Sequence, residues 1–313
     1  MTDTTETHAP VADSSADDVA SAVAAAEEIA RRWARAAGEE RAGVLRRIAD
    51  LLDEATDELV DAADEETALG RPRLTGEVAR TTGQLRMFAD LAARGFELDA
   101  IISEADQGSA RPDVRRLMRA IGPVAVFSAS NFPFAFSVAG GDTASALAAG
   151  CPVVVKAHEG HPRTSRLTTE VIARALADAG APAALLQTVY GLEAGRELVL
   201  APAIRAVGFT GSLAGGNALL KLTQTRPDPI PFYGELGSVN PVVVLAGAAA
   251  ERPVELAEGY VGSLTLGVGQ YCTNPGLMFV PQDDDLVQAI SSEVGAATGS
   301  TMLTERIHDQ YDE

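Results

Sequence analysis

The hydrophobic positions change period once along this chain, and the change divides it into two kinds of structure. Before about residue 95 the apolar residues recur at helical spacing. Ser15 to about Ala37 reads as one helix, opened by the capping sequence SADD and ended by Gly38. EERAGVLRRIADLLDEATDELVDAADEE predicts a second helix, with Val44, Leu45, Ile48, Leu51 and Leu52 on one face and a solvated acidic face opposite. LTGEVARTTGQLRMFADLAARG predicts a third. Residues 98–119 are less regular and hold a basic cluster, Arg115, Arg116 and Arg119.

Beyond that point short apolar runs alternate with helical ones. IGPVAVF (121–127), CPVVVKA (151–157), LLQTVYG (185–191), IRAVGFTG (204–211) and NPVVVLAG (240–247) predict strands. Between the strands, PFAFSVAGGDTASALAAG, RTSRLTTEVIARALADAG, GLEAGRELVLA and LAGGNALLKLTQTR predict helices. Val-rich strands alternating with amphipathic helices indicate an α/β fold: a Rossmann-like parallel sheet with helices on both faces. Such a sheet takes its ligands beyond the carboxyl ends of its strands.

Composition narrows the function classes. A chain of 313 residues, 46% hydrophobic and 22% charged, is long enough for about two domains. A net charge of −19 excludes a phosphate-backbone grip on nucleic acid and disfavours acidic membrane surfaces. No apolar run approaches the roughly 20 residues of a membrane span, and the polar N-terminus lacks the regions of a signal peptide. A cytoplasmic protein is expected. Residues 1–16 are expected to be disordered. Two cysteines, Cys151 and Cys272, build no disulfide framework.

The candidate chemistry lies at the ends of the predicted strands. Asn131 follows the run GPVAVFSAS; taken alone it is a turn or cap residue. Lys156 and Glu159 stand at the tip of VVVKAHEG, where lone charges are usually solvated. Gly211 and Ser212 open VGFTGSLAGGNALL, a strand, glycine turn and helix in order, which lets backbone amides approach a phosphate. Glu235 sits between glycines in a mostly apolar setting, either as a structural ion-pair partner or as a base with a raised pKa. Cys272, in VGQYCTNPG, has glycines before it and a turn after it, the local chemistry of an exposed nucleophile, whereas Cys151 at the start of a Val-rich strand reads as packing. His158 and His161 suggest a metal, but no carboxylate or thiol cluster in sequence completes a site, and none is expected.

The order amide, lysine, glycine turn, glutamate, cysteine is more specific than any part. SASNFPF, PVVVKAHEGHP, FTGS, ELGSVNP and GQYCTNPG together resemble the NAD(P)-dependent aldehyde dehydrogenase superfamily, and within it most closely the 2-oxoglutarate semialdehyde (2,5-dioxopentanoate) dehydrogenases. The resemblance runs from about residue 17 to the end. It implies a nucleophilic Cys272, an oxyanion hole supplied by Asn131 and the Cys272 amide, and Glu235 as the base that activates the hydrolytic water. It further implies that Ser128, Lys156, Glu159, Gly211 and Ser212 hold the cofactor. The Glu159 charge accepts hydrogen bonds from ribose hydroxyls and repels a 2′-phosphate, so NAD is expected, with NADP left open by nearby Arg163, His158 and His161. Arg115, Arg116 and Arg119 are candidates for the remote carboxylate of a semialdehyde.

The resemblance divides the chain into residues 1–16, a helical and dinucleotide-binding part at 17–237, and the first part of a catalytic domain at 238–313. Ser238 and Val239 replace the Gly and Lys common in the family. Family members are considerably longer, so a chain truncated at its C-terminus is expected, and a homo-oligomer is expected of the full-length form. Two other readings stand beside the active enzyme: a fragment retaining at most nucleotide binding, and a cysteine hydrolase, which needs an imidazole base from His8, His158, His161 or His308.

Overall fold

The computed structural model describes residues 11–312 except 107, 109 and 283. It divides into two units, one running to Glu235 and the other from Leu236, with Thr67–Leu69 grouped with the second. Most of the segment expected to be disordered lies outside the described residues. Within it, the Ser14 amide donates to the Tyr190 carbonyl at 2.9 Å, and the Tyr190 amide donates to Ser14 Oγ at 3.0 Å, so the chain is anchored before its first helix.

That helix, α1 (Ala16–Trp33), begins on the expected capping box: Ser15 Oγ accepts from the Asp18 amide and Asp18 Oδ2 from the Ser15 amide. It ends earlier than expected, and Gly38 opens the next helix, α2 (Gly38–Glu54), instead of closing the first. The reason is close packing. A Cβ at Gly38 would lie 2.1 Å from the Ala92 carbonyl oxygen on α4 (Arg71–Ala93). The long second helix expected from periodicity is two helices, α2 and α3 (Thr56–Thr67). The Thr56 hydroxyl at the break donates to the Asp53 carbonyl at 2.8 Å, a side-chain bond that competes with the helical ladder.

The irregular stretch contains an antiparallel pair that periodicity missed, β1 (Ile101–Ser103) and β2 (Val114–Arg116). The main sheet of the first unit follows. Its strands are β3 (Val124–Phe127), β4 (Val153–Lys156), β5 (Leu186–Val189), β6 (Ala206–Thr210) and β7 (Phe232–Glu235), in the order β5-β4-β3-β6-β7, every pair parallel. The interleaved helices are α5 (Gly141–Ala148), α6 (Pro162–Asp178), α7 (Leu192–Leu200) and α8 (Leu213–Thr225). Helix α5 is shorter than the expected run, because residues 133–139 form turns.

Strand β4 is buried along its whole length, as its unbroken valines require between two helical layers. One layer packs α1 and α7 on the sheet through Val19, Val23, Phe127, Val154, Leu198 and Val207. Arg226, just past α8, donates to the Val199, Ala201, Pro202 and Ile204 carbonyls, satisfying the acceptors that the end of α7 leaves open.

The second unit is built from β8 (Pro241–Val243), α9 (Ala246–Glu251), α10 (Pro253–Thr265), β9 (Leu277–Phe279), α11 (Asp284–Ala296) and α12 (Glu305–Asp312). β8 and β9 pair in parallel, around a small core of Val244, Ala249 and Leu286. Val243 and Phe279 are 67% and 54% exposed, so this two-stranded sheet is covered far less than β4. No helix among the described residues is long and apolar enough to cross a membrane.

Candidate active site

Because all five strands of the main sheet run the same way, the loops after β3, β4, β6 and β7 leave from one end of it. Asn131 lies four residues beyond β3 in a half-buried bend. Helix α4 holds this bend from behind. The Arg73 guanidinium donates to the Asn131 carbonyl oxygen at 2.6 Å and sits 5.1 Å from the Phe132 ring centre. Glu77 Oε1 accepts the Phe134 and Ala135 amides at 2.8 and 3.0 Å. Burial pushes the Glu77 carboxyl up, against the two amides and the Arg73 and Arg80 charges. Sequence reasoning missed Arg73 and Glu77, since on a helix 58 residues upstream they look like ordinary charges.

The end of β4 carries the strongest local electrostatics. Lys156 is buried, and its Nζ is 2.7 Å from Glu159 Oε2, whose side chain is half exposed. Burial alone would raise the Glu159 carboxyl, but the Lys156 hydrogen bond and charge outweigh it and bring it down to about 2. Ser128 is buried, accepts a hydrogen bond from Ser137 Oγ at 3.1 Å, and donates its amide to the Lys156 carbonyl. Gly195 faces the lysine stem: a Cβ there would lie 3.3 Å from Lys156 Cγ and 3.0 Å from the Phe127 ring.

His161 is fully buried between these loops. Its Nε2 lies 2.8 Å from the Ala129 carbonyl, which can only accept, so Nε2 carries the proton. Burial lowers its pKa. With His161 tied to backbone and His158 Nδ1 accepting from the Gly160 amide, both imidazoles have structural partners. Among the described residues no group of three or more His, Cys, Asp or Glu could hold a metal.

Gly211 and Ser212 lead into α8. Ser212 is the N-cap, its Oγ accepting the Gly215 amide at 3.1 Å, and both residues are exposed. The first-turn amides of a helix lack intrahelical partners, and a dinucleotide pyrophosphate is a fitting acceptor for them. The combination of ammonium and helix N-terminal donors with a carboxylate acceptor therefore suits a nicotinamide dinucleotide.

Glu235 ends a strand, β7, that sequence reading did not identify. Its amide neighbourhood is regular: the Gly211 amide donates to its carbonyl at 3.0 Å. The expected apolar, partly buried setting is not found, and the side chain is exposed. Among the described residues β7 is an edge strand of the sheet, flanked by β6 alone.

In the second unit Cys272 is exposed, whereas Cys151 in the first is 4% exposed. The Cys272 carbonyl accepts from Ser238 Oγ and from Asn240 Nδ2, the latter at 2.6 Å. The Asn274 amide closes the turn on the Tyr271 carbonyl, and Asn274 Nδ2 reaches the Leu264 carbonyl at 2.7 Å. Ahead of the cysteine, Gly267, Val268 and Gly269 all have positive φ, with Val268 at 59°. A β-branched residue there is strained, so the approach to Cys272 is held by its surroundings against local preference.

Of the three arginines considered for a substrate carboxylate, two lie on β2 and one before β3. Arg115 and Arg116 are on β2, paired with Asp113 and Asp99. Arg119 precedes β3, at the end of the sheet opposite the loops carrying Asn131 and Glu235.

A family model described as the aldehyde dehydrogenase family matches residues 2–307. Alpha-ketoglutaric semialdehyde dehydrogenase 2 of Azospirillum brasilense is 48% identical over 87% of this chain and 53% of its own length. Alpha-ketoglutaric semialdehyde dehydrogenase of Acinetobacter baylyi is 42% identical over 94% and 57%. Among solved structures, NADP-dependent glyceraldehyde-3-phosphate dehydrogenase from Bacillus halodurans, in complex with NADP, superposes with a TM-score of 0.79 at 28% identity, covering 92% of this chain and 58% of that one. The chain thus spans about half the length of the curated relatives it matches, and with its parallel sheet and matching family model it belongs to the aldehyde dehydrogenase family.

Proposed function

We propose that these residues carry the nucleotide-binding part and the nucleophile of an NAD-dependent dehydrogenase that oxidises 2-oxoglutarate semialdehyde to the acid, in the cytoplasm and as a homo-oligomer in full-length form. On this reading the dinucleotide part extends to about residue 237, and residues 238–313 begin a catalytic domain. One observation carries the reading: an exposed thiol, Cys272, in a hydrogen-bonded turn, in a chain whose parallel sheet ends in Lys156, Glu159 and the α8 N-terminus.

The Cys272 thiolate adds to the aldehyde carbon, forming a thiohemiacetal. The Asn131 side-chain amide and the Cys272 backbone amide donate to the oxyanion. Lys156, Ser128, Gly211 and Ser212 bind the dinucleotide, and Glu159 sets the preference for an unphosphorylated ribose. When bound, the nicotinamide supplies the hydride acceptor that leaves a thioester on the cysteine. Glu235 takes a proton from the water that hydrolyses it. Relatives bearing the ketoglutaric semialdehyde name support the substrate class.

The test is to mix the purified chain with NAD and an aldehyde panel and follow reduced cofactor at 340 nm. A signal absent from Cys272→Ala, with the highest kcat/KM on carboxylated semialdehydes, is the expected result. NAD binding without turnover, beside a normal signal from a full-length relative, assigns the chain to the nucleotide-binding fragment. Cofactor-independent ester hydrolysis that needs a histidine assigns it to a cysteine hydrolase.

A further inference from the structure

The main sheet has a second cluster of charge at the end opposite the cofactor loops. A cavity of about 540 Å³ there is lined by Arg31 of α1, Arg35 in the turn after it, Arg41 of α2 and Arg119 before β3. Among the described residues Glu97 is the one carboxylate in its wall, and Leu98, Leu117 and Met118 supply apolar surface. Four cations against one anion give a local excess of positive charge in a chain whose net charge is −19.

Arg41 is 5% exposed and paired with Glu97. Among the described residues, Arg41 Nε and Glu97 Oε2 are buried with no hydrogen-bond partner. Arg31, Arg35 and Arg119 are exposed, and no ion pair joins them to a described residue. Cations gathered in this way raise the local concentration of anions, and guanidinium groups pair with carboxylates bidentately. The walls are firm: Trp33 Nε1 donates to the Leu147 carbonyl at 3.0 Å, tying α1 to α5. A Cβ at Gly150 would stand 3.2 to 3.3 Å from Ala34, Ala120 and Arg41 Nη1, so the backbone closes tightly around the buried guanidinium.

We propose that this cavity is a binding site for a small organic anion carrying at least two acidic groups, held by Arg35, Arg119 and Arg31 around the buried Arg41. Its volume falls in the range of small-molecule sites, and its mixed lining suits a short carbon skeleton between the charges. The proposal does not depend on dehydrogenase activity, since the cavity shares no residue with the cofactor loops.

The test is isothermal titration of the full 313-residue chain with citrate, inorganic phosphate and acetate at 50 and 150 mM NaCl. Saturable 1:1 binding of citrate, weaker phosphate binding and no acetate binding are expected. Arg35→Ala and Arg119→Ala, both at exposed positions, should each weaken citrate at least tenfold without changing the circular dichroism spectrum. Arg174→Ala, an exposed position on α6 that does not line the cavity, should leave it unchanged. Saturable phosphate binding without citrate binding would overturn the organic-anion assignment. No saturable binding, or equal losses in all three variants, would overturn the site itself.

Discussion

Lys156 Nζ and Glu159 Oε2 are 2.7 Å apart, a buried ammonium holding a half-exposed carboxylate at the tip of β4. The carboxylate stays ionised across the working pH range, so a 2′-phosphate bound beside it meets a full like charge. On the proposed role of Glu159, Glu159→Gln should strengthen NADPH binding relative to NADH about tenfold, which corresponds to about 1.4 kcal/mol of repulsion removed. Fluorescence titration with both reduced cofactors reads the ratio directly. An unchanged ratio would remove Glu159 from cofactor choice.

His161 makes stability depend on pH. Its folded pKa is depressed below the ordinary 6.5 by burial, so folding keeps it neutral while the unfolded chain takes up a proton below that value. Its contribution is intact above pH 6.5 and declines as pH falls toward the folded pKa, by at most about 1.4 kcal/mol per pH unit. Urea unfolding at pH 7.5 and 5.5 should show the loss, and His161→Gln should flatten it. Glu159 acts in the same direction at lower pH: its carboxyl is depressed, so its contribution fades between 4.5 and about 2.

The elements legible in the sequence were those whose pattern is local. The valines of β4 and the Ser15 to Asp18 capping box identify themselves, because burial on two faces and an N-terminal cap each leave a signature within a few residues. β7 left none: three of its four positions are exposed, so no burial alternation marks it, and its pairing partner β6 lies over 20 residues away. Gly38 was misread for a related reason, since its close neighbour is Ala92. The candidate site followed the same division. Asn131, Lys156 and Cys272 stood out through short motifs, while Arg73 and Glu77 act through contacts that only the packing of α4 reveals.

The two thiols should differ sharply in reactivity. Cys272 is exposed, whereas burial both shields Cys151 and raises its pKa. Brief iodoacetamide treatment at pH 7.5 should add one label, mapped by mass spectrometry to Cys272, with Cys151 modified only after unfolding in urea. Bound NAD should change the labelling rate if Cys272 works beside the nicotinamide. Equal labelling of both residues in the native chain would contradict the placement of Cys151.

Arg226 offers a test of the scaffold that supports the cofactor loops. Its guanidinium fills four backbone acceptors at the end of α7, two of them at 2.8 and 2.9 Å. Arg226→Met keeps much of the stem volume but leaves those carbonyls without their charged donor, and buried acceptors so orphaned cost about 1–3 kcal/mol each before water repays part of it. A loss of about 3 kcal/mol in urea unfolding is expected, with Arg226→Lys recovering part.

The Asn131 bend depends on α4 for both position and shape. Arg73 holds its first carbonyl at 2.6 Å, and Glu77 holds two amides three and four residues on, so the side chain of Asn131 is presented from a frame fixed at both ends. Removing Glu77 as Glu77→Ala strands two buried amides, at a cost of about 1–3 kcal/mol apiece. Native-state hydrogen exchange at Phe134 and Ala135 should accelerate in this variant while β4 stays protected. Arg73→Ala should leave the global stability within about 1 kcal/mol but free the Asn131 backbone. On the proposed role of Asn131, its misplacement should appear in kcat and not in KM, with a fall of about tenfold, less than the roughly hundredfold expected for Asn131→Ala. A matched fall in both variants through KM alone would show that α4 shapes binding instead of the oxyanion hole.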